Sequence, residues 1–261
     1  MKDSVFLKQD TVGSRHRPDY WEQTFLLGFG AIDPSDRLTL AGAFDYFQEA
    51  AINHAELLGI GREAMAQTGQ VWILSRMSVS IESRPKYRES LTVRSWPRGW
   101  EKLFALREYD IRDATDTAIV RGSSGWLIVD REKRRPLRPQ PIIEPLPLNK
   151  ALPILPGGAI GLESRDNLSK IGERRAVYSD IDFNGHVNNT RYIQWIQDVL
   201  DPELFERASR MRLDINYLRE IKAGDLAELW AVPLGNTHIA LEGRRQEEGQ
   251  AVFRAELQTF L

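Results

Sequence analysis

Ile181-Asp182-Phe183-Asn184-Gly185-His186-Val187 and Ile32-Asp33-Pro34-Ser35-Asp36-Arg37-Leu38 are two versions of one device. Each runs from an Ile-Asp pair through turn-forming residues to an aliphatic residue, and each leads into a helical pattern. On the left, Leu40, Ala43, Phe44, Phe47, Ala51 and Leu58 recur close to helical spacing, and the pattern ends at Gly59. On the right the stripe is Tyr192, Trp195, Ile196, Val199 and Leu200, with Pro202 as the stop. The segments align without a gap: Asp33 falls on Asp182, Leu38 on Val187, Phe47 on Ile196, Gln48 on Gln197 and Glu49 on Asp198.

Strand-like runs follow each helix. On the left they are residues 71–81, 91–96, 104–111 and 118–129; on the right, 213–218, 226–232, 239–245 and 251–260. Each half therefore reads as a strand or turn, a long helix and an antiparallel meander. An amphipathic helix must bury its stripe, and a curved antiparallel sheet has one face to bury. A sheet wrapped around its helix satisfies both, so the expected class is α+β, built twice. Between the halves Pro136, Pro139, Pro141, Pro145, Pro147, Pro153 and Pro156 disfavour helix and central strand and favour an extended, polyproline-like linker. The expected organisation is a first unit over residues 1–135, a linker over 136–170 and a second unit over 171–261.

From Asp182 the right-hand segment sets a carboxylate, an amide and an imidazole at i, i+2 and i+4, which share a face if the chain is extended. Such groups can orient a water, bind an oxyanion and move a proton. Asp, Asn and Gly also form turns, so local hydrogen bonding is the plainer use of Asp182 and Asn184, and an N-cap the plainer use of Asn188 or Asn189. The left half differs: Ser35 replaces Asn184, Arg37 replaces His186, and Arg84-Pro85 stands where the right half has Arg219-Glu220. Catalysis is accordingly expected in the right half, with the left free to become a substrate pocket.

Composition narrows the classes. The chain has 261 residues, enough for one large domain or two smaller ones. A net charge of −2 argues against nucleic-acid binding through bulk charge. With no cysteine, disulfides, thiolate catalysis and Cys-ligated metals are excluded. His16, His54, His186 and His238 are the only histidines, and none is paired at metal-ligand spacing. There is no P-loop, no G-x-S-x-G elbow and no dinucleotide fingerprint; Gly28-Phe29-Gly30 lacks the third glycine. No apolar run reaches the length of a membrane span, and Met1-Lys2-Asp3-Ser4-Val5-Phe6-Leu7-Lys8 has no secretory apolar core. A cytoplasmic protein without cofactor or metal is expected.

Asp182-Phe183-Asn184-Gly185-His186-Val187-Asn188-Asn189, followed by Tyr192-Ile193 and Trp195-Ile196, resembles the signature of the acyl-acyl-carrier-protein thioesterases. Asn53-His54, Trp72-Ile73-Leu74-Ser75-Arg76-Met77 and Tyr217-Leu218-Arg219-Glu220 fit the same family, and the likeness covers about residues 20–261. The resemblance implies a tandem (double) hotdog fold. It implies hydrolysis of fatty acyl thioesters to free acid and carrier thiol, with an acidic acyl carrier protein as partner and Asp182, Asn184, His186 and Glu220 as catalytic residues. Ile221 sits where plant members often carry a cysteine, so a Cys-based mechanism cannot operate. The absence of a plastid transit pattern fits a bacterial member.

These residue types suit that reaction. A thiol leaving group, with a pKa near roughly 8.5, needs little acid assistance, so the demand is for an activated water and a stabilised oxyanion. His186 is the only imidazole in the constellation, and either Asp182 or Glu220 suits the role of orienting it or acting as base. Asn184, or backbone N–H groups around Val187 to Asn189, would serve the oxyanion. Attack by water and attack by a carboxylate through a mixed anhydride both fit. Trp72, Phe44, Phe47 and Met77 suit an acyl tunnel in the left half and equally suit a helix–sheet core, while His54 reads as a core histidine. The runs Arg131, Lys133, Arg134, Arg135, Arg138 and Arg207, Arg210, Arg212 are candidate carrier-protein patches or solvated faces. An acyl-CoA thioesterase of the same fold, a non-catalytic acyl-binding hotdog protein and a hydroxyacyl dehydratase are the alternatives. A fused pair of hotdogs already supplies the interface that single ones gain by dimerising, so a monomer or homodimer is expected.

Overall fold

The computed structural model describes residues 14–261, so the N-terminal segment read above lies outside the described residues. Strands β1 (Ser14–Arg17) and β2 (Tyr20–Leu26) precede helices α1 (Leu40–Leu57) and α2 (Arg62–Gln67). Strands β3 (Gln70–Ile81), β4 (Ser90–Glu101), β5 (Phe104–Arg112) and β6 (Ala118–Asp130) complete the first half. Short β7 (Arg135–Leu137) and a single helical turn, α3 (Gln140–Ile143), open the connection. The second half comprises β8 (Ser169–Arg175), α4 (Asn189–Val199), α5 (Pro202–Glu206), β9 (Arg210–Tyr217), β10 (Leu226–Gly235), β11 (His238–Arg245) and β12 (Ala251–Phe260).

The strands form one continuous antiparallel sheet ordered β1-β2-β4-β5-β6-β3-β9-β12-β11-β10-β8, with β7 paired to β6. The order β2-β4-β5-β6-β3 is repeated as β8-β10-β11-β12-β9, and the two runs meet where β3 pairs with β9, Met77 opposite Ile215. This is the tandem hotdog, each half a curved sheet around its own long helix. Helix α1 buries Leu40, Ala43, Phe44, Phe47, Ala50 and Ala51 against the left sheet. Phe47 packs on Tyr109 with ring centroids 4.9 Å apart. Gly122 on β6 makes room for that ring: a Cβ there would lie 2.7 Å from Phe47. Helix α4 buries Tyr192, Ile193, Trp195 and Ile196, and Tyr192 meets Trp195, Tyr217 and Phe253 edge-on. It ends at Val199, before Leu200; Pro202 instead starts α5, its fixed φ suiting a first helical position capped by Asp201.

The connection departs from the expected bare polyproline linker. Pro136 lies in β7, which pairs only with β6, so its missing N–H costs no ladder bond on an inner strand. Pro139 and Pro141 begin the α3 turn, where an N–H would have no intrahelical acceptor. The chain then crosses the sheet face opposite the helices. Tyr109 and Arg107 face α1, so Glu108 between them points outward, where it accepts from Leu155 N (3.2 Å) and Ser123 Oγ (2.8 Å). Farther along, Ile160 N bonds to Ser78 Oγ (3.4 Å), and Leu162 N and Ile160 O bond to the Asn216 side chain (2.6 and 2.8 Å). The connection thus spans β5 to β9 as a strap over the seam, and burial beneath it raises the Glu108 pKa against the bonds it accepts.

The turn before each helix repeats bond for bond. Asp33 N bonds to Arg37 O and Asp36 N to Asp33 O (both 2.9 Å); Asp182 N bonds to His186 O (2.8 Å) and Gly185 N to Asp182 O (3.0 Å). Leu38 N reaches Pro85 O (2.9 Å) as Val187 N reaches Ile221 O (2.8 Å). Pro85 therefore stands on Ile221 and Arg84 on Glu220. This corrects by one residue the alignment of Arg84-Pro85 with Arg219-Glu220, because composition alone does not locate the carbonyl that receives the turn. Arg84 is buried and donates to Leu38 O (2.9 Å), to Phe205 O of the other half (2.7 Å) and to the Asp33 carboxylate. Burial opposes ionisation of Asp33, but bonds from Ser35 and Arg84 outweigh it and hold the carboxyl below its usual range.

Replacing Arg84 with Met should lower unfolding stability by about 3 kcal/mol, the usual cost of stripping a buried ion pair of one partner. Because the folded pKa of Asp33 is depressed, its pairing stabilises fully above the ordinary carboxyl pKa of 3.8 and fades as pH falls through the lower folded value. Denaturant titrations of both proteins should therefore differ most near neutrality and converge in acid; equal midpoints at pH 7 would contradict this account.

Candidate active site

The Asp182–His186 turn is closed by a glycine in the left-handed region, Gly185 at φ 80°, where the left half uses Asp36 at φ 61°. Asp182 Oδ1 accepts from Asn184 N (2.8 Å) and His186 N (3.4 Å), and Oδ2 from Asn184 Nδ2 (3.3 Å). Its carboxylate thus anchors the loop and holds the Asn184 amide. The imidazole is held elsewhere: His186 Nε2 lies 3.2 Å from Glu220 Oε2, delivered by the loop after β9. Of the two carboxylates weighed as partners for His186, Glu220 is the one on its ring. A neutral imidazole donating Nε2–H to Glu220 keeps Nδ1 as a proton acceptor. The pair is partly open to solvent, at 26% and 43% side-chain exposure, so water can reach it.

Supporting contacts fix Glu220. Arg245 Nη2 bonds to Glu220 O (2.5 Å) while its Nη1 bonds to Glu248 (3.0 Å). Arg134, from the turn between β6 and β7, reaches to 3.8 Å of the Glu220 carboxylate. Nothing in the spacing of Arg134 announced that contact; it depends on how the end of β6 lies against the other half. Ile221 is fully buried and uses its carbonyl in the turn, so its side chain faces the core.

The start of α4 forms the floor. Asn188 is its N-cap, with Oδ1 accepting from Thr190 N (3.0 Å), and Tyr217 Oη donates to Asn189 O (3.1 Å). Two backbone groups expected to serve an oxyanion are already engaged: Val187 N by Ile221 O and Asn188 N by Asp180 O (both 2.8 Å). Asn189 N–H has no partner among the described residues.

Beside this floor a narrow crevice, partly open to solvent, is lined by Phe44, Gln48, Leu74, Met77, Tyr109, Trp126, Asn189 and Thr190. It lies between the left half's helix and sheet and the first turn of α4. Phe44 and Met77 line it; Phe47 sits behind, against Tyr109. Trp72 lies away from it, its indole N–H donating to Ile60 O (2.8 Å) in the loop after α1. His54 is buried, its Nδ1 3.2 Å from Arg107 Nη1 and its Nε2 3.3 Å from Pro18 O; burial and the Arg107 charge lower its pKa to about 4, so it stays neutral. At the left-hand equivalent of the site, Asp33 is paired with Arg84, and Arg37 donates to Arg84 O (3.1 Å). That turn holds no imidazole, and its second carboxylate, Asp36, accepts from Tyr87 N (3.4 Å).

Comparison with known proteins bears on the family and the fold. A palmitoyl-acyl carrier protein thioesterase from Arabidopsis thaliana is 26% identical over 220 residues, covering 77% of this chain and 52% of its own. The chain spans about half the length of the first such relatives. Among solved structures, an acyl-ACP thioesterase from Bacteroides thetaiotaomicron superposes with a TM-score of 0.80 at 24% identity, over 92% of this chain and 98% of its own. A 12:0-ACP thioesterase from Umbellularia californica gives 0.77 at 20% identity, over 94% and 98%. These two likenesses speak to the fold. The family model of the acyl-ACP thioesterase N-terminal domain matches residues 18–144, and that of the C-terminal domain matches residues 163–258. With both halves matched in order, the chain belongs to the acyl-ACP thioesterase family.

Proposed function

We propose that this protein hydrolyses fatty acyl thioesters of acyl carrier protein, releasing free fatty acid and carrier thiol and so ending chain elongation. The observation that carries the reading is a His186–Glu220 pair at the turn leading into α4, whose first residues Asn189 and Thr190 close an apolar crevice otherwise lined by the opposite half. In this reading residues 1–135 supply the acyl pocket, 136–170 the connection and 171–261 the chemistry.

His186 Nδ1 takes a proton from water, oriented by the Nε2–H bond to Glu220, and the hydroxide adds to the thioester carbonyl. The oxyanion is met by the unengaged Asn189 N–H, and Asn184, held by Asp182, presents its amide at the mouth. Collapse expels the thiolate, which His186 reprotonates. Water is favoured as nucleophile over a carboxylate, since both Asp182 oxygens are engaged in the turn and Glu220 is engaged by His186.

Charge favours a carrier protein as the thiol donor. Arg134 stands at the site, and its neighbours Arg131, Arg135 and Arg138 make no ion pair among the described residues, so the rim presents free positive charge to an acidic partner. The other candidate patch is spent internally: Arg207 on Glu203, Arg210 on Glu82 and Arg212 on Asp214. No helix of the described residues is long and apolar enough to cross a membrane, and a cytoplasmic monomer or homodimer is the working form this reading implies.

The test is thiol release from medium- to long-chain acyl carrier protein thioesters beside the matching CoA thioesters. Fast release from carrier protein is expected; release from CoA alone would make the protein an acyl-CoA thioesterase, and binding without release would make it an acyl-binding protein. His186→Ala and Asp182→Ala should each cut turnover roughly 100-fold or more, the scale of a lost positioned proton-transfer or electrostatic group. Arg37→Ala, at the degenerate turn, should leave the rate nearly unchanged. Reversing charge at Arg131, Arg135 and Arg138 together should raise KM for carrier-protein substrates, flatten its salt dependence and spare CoA substrates; a uniform effect on both carriers would remove this surface from the reading.

A further inference from the structure

The two long helices face each other across the internal repeat, and each carries a glutamine at the matched position, Gln48 on α1 and Gln197 on α4. Gln197 Oε1 accepts from Ala41 N (3.0 Å), a free N–H in the first turn of α1. The reciprocal bond, from Thr190 N to Gln48, is not made. The difference lies in the caps. Thr39 reaches forward to Gly42 N (2.9 Å), leaving Ala41 N for Gln197. Asn188 instead takes Thr190 N itself (3.0 Å), the very group that Gln48 would otherwise engage. Gln48 is left half-buried with no hydrogen-bond partner among the described residues, on the wall of the crevice with Asn189, Thr190 and five apolar or aromatic side chains from the left half. The Gln48 amide is thus committed to no protein group and is available to a ligand entering the crevice.

We propose that Gln48 is a catalytic residue: its side-chain N–H donates to the thioester carbonyl oxygen and, with Asn189 N–H, completes an oxyanion hole built from both halves. This rests on the thioesterase reading above. Gln48 donates nothing covalently and holds no proton in the cycle; its contribution is a hydrogen bond that strengthens as the carbonyl oxygen gains charge. The chemistry it recognises is an acyl carbonyl entering between α1 and α4, whichever thiol carries it. The degenerate half therefore contributes a reacting-group contact in addition to any pocket.

Three variants and two readouts test this. Gln48→Ala and Gln48→Glu, the second keeping size but removing the donor, should each lower kcat for thiol release roughly 100-fold with KM nearly unchanged, the loss typical of one oxyanion donor. Their melting temperatures should match the wild type, since no protein bond is lost. Gln197→Ala should do the reverse, lowering the melting temperature while leaving kcat nearly unchanged. Full activity in Gln48→Ala overturns the proposal, as does full activity in Gln48→Glu, which would make the group a water-holding acceptor. A fall in kcat matched by a fall in melting temperature would reduce Gln48 to a structural residue. Absence of thiol release by the wild-type protein itself would overturn the thioesterase reading and this proposal with it.

Discussion

The antiparallel pairing of β3 with β9 is the constraint on which everything else depends. It joins two curved sheets into one, sets the two long helices against each other and brings the left-hand crevice to the first turn of α4. Its cross-strand neighbours Met77–Ile215 and Val79–Leu213 are buried on the helix side, while Ser78 and Asp214 bond to each other on the outer side beneath the strap. A slip of one residue would exchange these faces, burying Ser78 and Asp214 in the core. The register is thus fixed from both sides, and with it the distance between pocket and imidazole.

One backbone turn serves opposite ends in the two halves. The amide-to-carbonyl pattern around Asp33 and Asp182 is common to both, and so is the carboxylate that binds the turn from within. Only the partners differ. An arginine opposite Asp33 makes a buried ion pair that also reaches Phe205 in the other half. A glutamate at the matching position leaves Asp182 to its turn and turns instead to His186. The left site has become a clasp between the halves, and the right site has kept an imidazole with a carboxylate on its ring.

Much of this was legible in the residues because it is periodic or local. The repeat, both helices and the eight strands following them show themselves through spacing, and the strands emerge within a few residues of the expected runs. The fold class followed from two amphipathic helices each needing a sheet. What escaped was contextual. Strand β8 is polar and edge-lying, with Lys170, Glu173 and Arg174 exposed or half-exposed, so it carries no apolar alternation to read. The strap's short strand and helical turn tolerate proline because of where they lie. At the site, the residue types were visible, but the choice of Glu220 over Asp182 as the partner of His186, the approach of Arg134 and the isolation of Gln48 arise from contacts between distant segments.

The covalent connection has a further consequence. Strands β3 and β9 hold the same place in their halves, the inner edge at which a second sheet is received. The strap keeps β3 and β9 at high effective concentration, on the order of millimolar for a short tether, so unlike halves find each other first. An assembly of identical units must make every copy both pocket and catalyst. Tethering releases that requirement, because each site is guaranteed one neighbour of the other kind, and the two copies of a single turn are free to diverge without ever meeting themselves.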